Sequence, residues 1–130
     1  PLGNAPGVYS ARYSEKEGQT ATDESNNEKL LAELGDLPLA QRLAFYTCHM
    51  AISDPTGKIR ISCEEVCYGR IRFSPSGSNG FGYDPLFEIA EYHRTFGEMG
   101  STIKSVISHR SRAMRKIVPD IKVLLTAGEL

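Results

Sequence analysis

Two short segments hold residue types that could recognise a flat, hydrogen-bonding heterocycle. Phe81-Gly82-Tyr83-Asp84-Pro85 sets two aromatic faces beside a carboxylate in a glycine-loosened turn. Lys104-Ser105-Val106-Ile107-Ser108-His109-Arg110 sets three donors, Lys104, His109 and Arg110, at the start of an expected helix. An aromatic face stacks on any base, worth about 1 to 3 kcal/mol, whereas polar groups aimed at a base edge tell one base from another. Together the segments read as a purine-base pocket. Asp84 suits either a turn or a recognition site, and Ser108 either caps a helix or donates to a ligand.

Other chemistry finds little support. No nucleophile has an evident base beside it, so neither a Ser-His-Asp nor a Cys-His arrangement is legible. Gly77, Gly80 and Gly82 follow the order G-x-x-G-x-G with no helix opening behind them, which fails the dinucleotide and P-loop templates. Glu64 and Glu65 are strand neighbours and point to opposite faces, so they cannot share one ion. His49, on a strand, reads as a satisfied core residue. Cys48, Cys63 and Cys67 match no common zinc spacing and read as reduced, structural side chains.

The elements that must position the two segments follow from periodicity and punctuation. The stretch from Pro1 to Ala21 shows no period and reads as loop, with a turn at Ala5-Pro6-Gly7. A helix is expected from about Thr22, capped by Thr22 or Asp23, striped by Leu30, Leu31 and Leu34, and stopped by Gly35 and Pro38. Leu43 to Ile52 is apolar on both alternating sets, as in a strand covered on both faces. Asp54-Pro55-Thr56-Gly57 turns it into a second run, Lys58 to Cys63, with Ile59 and Ile61 inward, and a third run spans Val66 to Phe73. A final helix is placed from about Thr102 to Ile117, with Ile103, Ile107, Met114 and Ile117 on one face and Pro119 ending or kinking it. Arg110 falls on that apolar stripe and in the helix's N-terminal part, where the macrodipole disfavours a cation, so an electronegative partner such as a ligand is expected beside it.

At 130 residues and 40% hydrophobic the chain fits a single domain of ordinary globular composition, residues 1–130. A net charge of -1 argues against a nucleic-acid polymer, which would call for clustered Lys and Arg. No apolar run approaches the roughly 20 residues that span a bilayer, and no signal-peptide plan opens the chain, so the default compartment is cytoplasmic. The chain begins Pro1-Leu2-Gly3, without Met, in a loop-like stretch, which suggests processing or a missing upstream segment.

Four motifs appear in one order. They are Gly3-Asn4-Ala5-Pro6-Gly7-Val8-Tyr9-Ser10-Ala11-Arg12-Tyr13, then Asp23 with Asn26, Asn27 and Lys29-Leu30-Leu31, then Gly80 to Pro85 with Phe87, then Lys104 and Ser108-His109-Arg110 with Ala113. This order resembles the inosine triphosphate pyrophosphatase family, also called Ham1-like or non-canonical purine NTP pyrophosphatases, as far as about Ile117. The resemblance implies a mixed α/β fold, with a partly antiparallel long sheet flanked by helices in two lobes around a cleft, and a homodimer. It also implies hydrolysis of ITP, dITP and XTP to the monophosphate and pyrophosphate with Mg2+. Phe81 would stack on the base, Gly82, Tyr83 and Asp84 would line its edge, Lys104 and Arg110 would donate to the 6-keto oxygen, and Ser108 and His109 would complete the pocket. Buried donors left without that oxygen would penalise adenine by about 1 to 3 kcal/mol each.

The sequence also departs from the family pattern. The T-x-N-x-x-K phosphate motif, the magnesium ligands and the D-S-G-like segment with the catalytic acid do not stand here, and Ile103 replaces an acidic residue before the Lys. The resemblance therefore implies the C-terminal portion of such an enzyme, supplying the base pocket, with the catalytic acid and metal ligands upstream of Pro1. The alternative is a catalytically inactive nucleotide-binding or interaction module.

Overall fold

The structure, a computed structural model, describes residues 1–130 throughout. Its elements are α1 (Asp23–Leu34), β1 (Leu43–Ser53), β2 (Ile59–Ile71), β3 (Phe87–Ile89), β4 (Arg94–Thr95), α2 (Ser101–Ile107) and α3 (His109–Thr126), with a 3-10 turn over Gly7–Arg12. The strands form one sheet of order β1-β2-β3-β4, so the fold is mixed α/β as expected. β3 pairs antiparallel with β2 through Arg70↔Glu88 and Ile71↔Phe87, and with β4 through Glu88↔Thr95 and Ile89↔Arg94. The chain divides into two compact units, Pro1–Ala44 with Tyr68–Ser101, and Phe45–Cys67 with Thr102–Leu130.

In the first unit, α1 starts where the sequence directs. The Thr22 hydroxyl accepts the Ser25 N–H at 3.1 Å while the Ser25 hydroxyl accepts the Thr22 N–H at 2.9 Å, a reciprocal cap. Asp23 and Glu24 in the first turn suit the positive end of the helix dipole. Gly35 closes the helix at φ 50, its N–H reaching Leu31 O. Leu30 and Leu34 are buried in the core with Ile71, Leu86, Phe87, Ile89, Phe96 and Met99, and the Phe87 and Phe96 rings stack at 5.3 Å.

The arginine that ties this unit together carries no sequence signal. Arg42 is 1% exposed and donates to three carbonyls, Ile71 O at 2.9 Å, Gly35 O at 3.0 Å and Arg72 O at 3.3 Å. Its guanidinium also lies 4.5 Å from the centre of the Phe73 ring. Burial pushes its pKa below the usual value, but a guanidinium stays charged in proteins. The end of α1 is thereby fixed to the end of β2.

In the second unit, α3 lies against one face of the β1–β2 hairpin. Cys63 Sγ contacts Ala113 O at 3.5 Å, Lys116 pairs with Glu65 at 2.9 Å, and Arg60 pairs with Glu129 at 2.7 Å. The hairpin's other face is open, and this corrects the expectation that Leu43 to Ile52 is covered on both faces. β1 alternates strictly, with Leu43 and Phe45 among the exposed side chains. The reason is that α3 contacts the hairpin through Cys63 and Glu65, on one face. His49 lies on the open face, 3.6 Å from Glu64, and not in a core. Ile59 is likewise exposed, not inward.

Three boundaries also differ. The runs Lys58 to Cys63 and Val66 to Phe73 are one strand, β2, because Glu64 and Glu65 do not interrupt it. They alternate as expected, Glu64 toward His49 and Glu65 toward Lys116. The short strands β3 and β4 have too few residues to show a period. The final helix breaks at Ser108 and then runs through Pro119 to Thr126, because the stripe Ala113, Ile117, Ile121 and Leu124 keeps facing inward beyond the proline.

Arg42→Met is expected to lower unfolding free energy by about 3 kcal/mol, since three inward-facing carbonyls lose their donor. Urea unfolding measures it, and a loss below about 1 kcal/mol would contradict the role given to Arg42.

Candidate functional site

No helix or strand lies between β2 and β3, so the segment carrying the aromatic turn is built on tertiary hydrogen bonds. Thr95, fully buried, donates its hydroxyl to Ser76 O at 2.6 Å, Ser76 N–H reaches Pro85 O at 2.8 Å, and Gly97 N–H reaches Asp84 O at 2.9 Å. At Gly77, φ is +83 and a Cβ would lie 2.1 Å from the Gly97 carbonyl, so only glycine fits the crossing. Glu98 steadies the segment by accepting from Thr95 N–H at 3.2 Å and from Arg72 at 3.2 Å. The Thr95 and Ser76 hydrogen bonds hold its carboxyl below the usual range. Glu88, also buried, takes Arg70 at 2.5 Å and Arg72 at 3.4 Å.

On this frame Asp84 is 4% exposed and its Oδ2 accepts the Phe81 N–H at 3.0 Å. Phe81 is 58% exposed on a backbone anchored by that bond. Gly82, at φ +60, donates its N–H to Asp23 Oδ2 at 2.8 Å and accepts from Asn27 Nδ2 at 3.2 Å. The Tyr83 hydroxyl donates to Ser10 O at 2.6 Å. Burial, then the Asp23 charge, pushes its pKa up to about 12. Asn26 ties down the preceding loop, accepting from Ser14 N–H at 2.8 Å and donating to Ala11 O at 3.1 Å. Tyr13, whose role the sequence left open, packs on α1. Lys29 donates to its carbonyl at 2.8 Å and sits 4.4 Å over its ring, and its hydroxyl donates to Glu33. Arg12 lines a shallow groove of about 620 Å³ with Tyr9 and Lys16, apart from the expected pocket residues.

The remaining expected residues belong to the second unit, around the junction of α2 and α3. Ser108 ends α2 by donating its N–H to Lys104 O at 3.0 Å, and caps α3 by accepting the Ser111 N–H at 3.2 Å. The break resets the helical phase. Arg110 is therefore exposed and lies off the buried stripe of Ala113 and Ile117, which corrects its expected placement on an apolar face, while Ile103 and Met114 are exposed too. His109 is half-buried and stacks on Tyr46 at 4.9 Å. Two arginines missed in the sequence cover the open end of α2, Arg112 donating to Ile107 O at 2.9 Å and Arg115 to Ser105 O at 3.3 Å. The sequence-predicted residues thus form two local groups, Phe81 to Asp84 in one unit and Lys104, Ser108, His109 and Arg110 in the other.

For a metal ion, no three His, Cys, Asp or Glu side chains come together. No helix is long and apolar enough to cross a membrane.

A sequence model of the Ham1 family matches residues 1–120. The chain belongs to the Ham1 family. It is 53% identical to a dITP/XTP pyrophosphatase of Rhodopirellula baltica over 98% of its own length and 60% of that protein. It is 42% identical to a dITP/XTP pyrophosphatase of Shouchella clausii over 93% of its length and 59% of the relative. Among solved structures, the Staphylococcus aureus Ham1 protein aligns with TM-score 0.81 and 33% identity, over 93% of this chain and 60% of that one. The chain spans about 60% of the length of the curated relatives it matches. The family match begins at residue 1 and does not bear out the reading of the chain as a C-terminal portion.

Alkaline titration checks the two half-buried tyrosines, Tyr13 and Tyr83. Folding raises the Tyr83 and Tyr13 pKa values from 10.0 to about 12, so it favours the neutral phenols. Their contribution to stability is full below pH 10 and is lost as pH rises through about 12. Tyr83→Phe is expected to remove a late-ionising phenol from the ultraviolet titration curve and flatten the decline in stability; loss of a phenol that ionises near 10 instead would contradict the part-burial of Tyr83 beside Asp23.

Proposed function

We propose that this chain supplies base recognition to a nucleoside-triphosphate pyrophosphohydrolase that clears non-canonical purine nucleotides. Water would add across the α–β anhydride of ITP, dITP or XTP, giving the monophosphate and pyrophosphate. The observation that carries the reading is the Phe81–Asp84 turn, an exposed aromatic residue on a backbone held by Asp84 and Asp23, in a chain 53% identical to a dITP/XTP pyrophosphatase. In this reading Phe81 stacks on the base, Gly82, Tyr83 and Asp84 border it, Lys104 and Arg110 donate to its 6-keto oxygen, and Ser108 and His109 complete the recognition set. Hypoxanthine and xanthine offer an acceptor at position 6, where adenine offers an amino donor. Arg110 is exposed in the first turn of α3.

No residue of this chain is assigned as the base that activates water. The reading takes magnesium as held by residues other than these, and takes the enzyme as a cytoplasmic homodimer. A nucleotide-binding module without catalysis remains the second reading, and pyrophosphate release separates the two.

Calorimetry with ITP and ATP, alongside pyrophosphate release, tests the proposal. ITP is expected to bind about tenfold or more tightly than ATP. Arg110→Ala should bring that ratio toward one, and an unchanged ratio would refute its role. Phe81→Ala should weaken both nucleotides by about tenfold or more.

A further inference from the structure

Asp23 and Asn27 stand four residues apart on α1, a spacing that places two side chains on one helix face. The helix does not consume either one. Its cap comes from Thr22 and Ser25, which leaves the Asp23 carboxylate to reach 59 residues along the chain and accept the Gly82 N–H at 2.8 Å. Asn27 engages the other side of the same residue, donating to the Gly82 carbonyl at 3.2 Å. Asn27 is 9% exposed, and its Oδ1 is buried without a hydrogen-bond partner. The opposite amide orientation would aim that oxygen at the Gly82 carbonyl, so the orientation is forced and the bond to Gly82 offsets a real cost.

Gly82 is the residue where this turn has most freedom, at φ +60 with open space around a Cβ. Its neighbour Phe81 is more than half exposed, so burial restrains the ring little. The backbone is restrained directly, by Asp84 on the Phe81 N–H and by α1 on both polar groups of Gly82. We propose that Asp23 and Asn27 are positioning residues for nucleotide recognition, holding Phe81 as a preformed stacking platform for a purine base. The inference rests on the reading of Phe81 as the stacking face. A platform already ordered spares the ligand the entropy of ordering it, and so raises affinity without a new contact.

A double-mutant cycle by calorimetry tests this, using Asp23→Ala, Asn27→Ala and Phe81→Ala with ITP and ATP. Asp23→Ala and Asn27→Ala should each weaken both nucleotides by the same factor, about two- to tenfold, leaving the ITP-over-ATP ratio unchanged. Added to Phe81→Ala, neither should weaken binding further. Asp23→Asn, whose amide oxygen can still accept the Gly82 N–H, should recover most of the loss. Binding weakened by Phe81→Ala but indifferent to Asp23→Ala and Asn27→Ala overturns the positioning role alone, as do effects that simply multiply with that of Phe81→Ala. Binding indifferent to Phe81→Ala overturns the base-stacking reading, and this inference with it.

Discussion

A segment without helix or strand has peptide groups that no ladder satisfies, and each one left buried and unpaired would cost about 1 to 3 kcal/mol. The stretch between β2 and β3 is such a segment, and it carries the aromatic turn. Its hydrogen bonds are supplied from elsewhere, by Thr95 to Ser76, by Gly97 to Asp84, and by α1 to Gly82. Three buried polar side chains of the first unit, Asn27, Asp84 and Thr95, serve this purpose. They replace a ladder that the segment does not have, and the exposed ring of Phe81 is what the arrangement holds in place.

The second unit solves a related problem at a helix break. Ser108 satisfies one orphan donor of α3, while Arg112 and Arg115 satisfy carbonyls at the end of α2. Arg110 is exposed in the first turn of α3, where the dipole opposes a cation, and it does not lie on the apolar stripe that first drew attention to it.

What the sequence made legible was whatever has a local cause. Thr22, Gly35 and the leucines of α1 fixed that helix, and the Asp54 to Gly57 turn fixed the hairpin, because caps and turns act over a few residues. The aromatic turn could be picked out by composition, as could the caps at Ser108. Three kinds of feature were hidden. Arg42 donates to carbonyls up to 30 residues away, and Asp23 accepts from an N–H 59 residues away, so no spacing rule points to either. β3 and β4 are too short for a period. The phase of α3 depended on a one-residue break at Ser108, which shifted the inward stripe away from Arg110 and Met114.

The central claim is that the residues of this chain read a 6-keto purine. Nuclear magnetic resonance of the labelled chain during titration with ITP tests it most directly. The account predicts that shifts concentrate at Phe81 to Asp84 and at Lys104, His109 and Arg110, with smaller responses to ATP. Shifts confined to the groove around Tyr9, Arg12 and Lys16, or equal responses to both nucleotides, would contradict it.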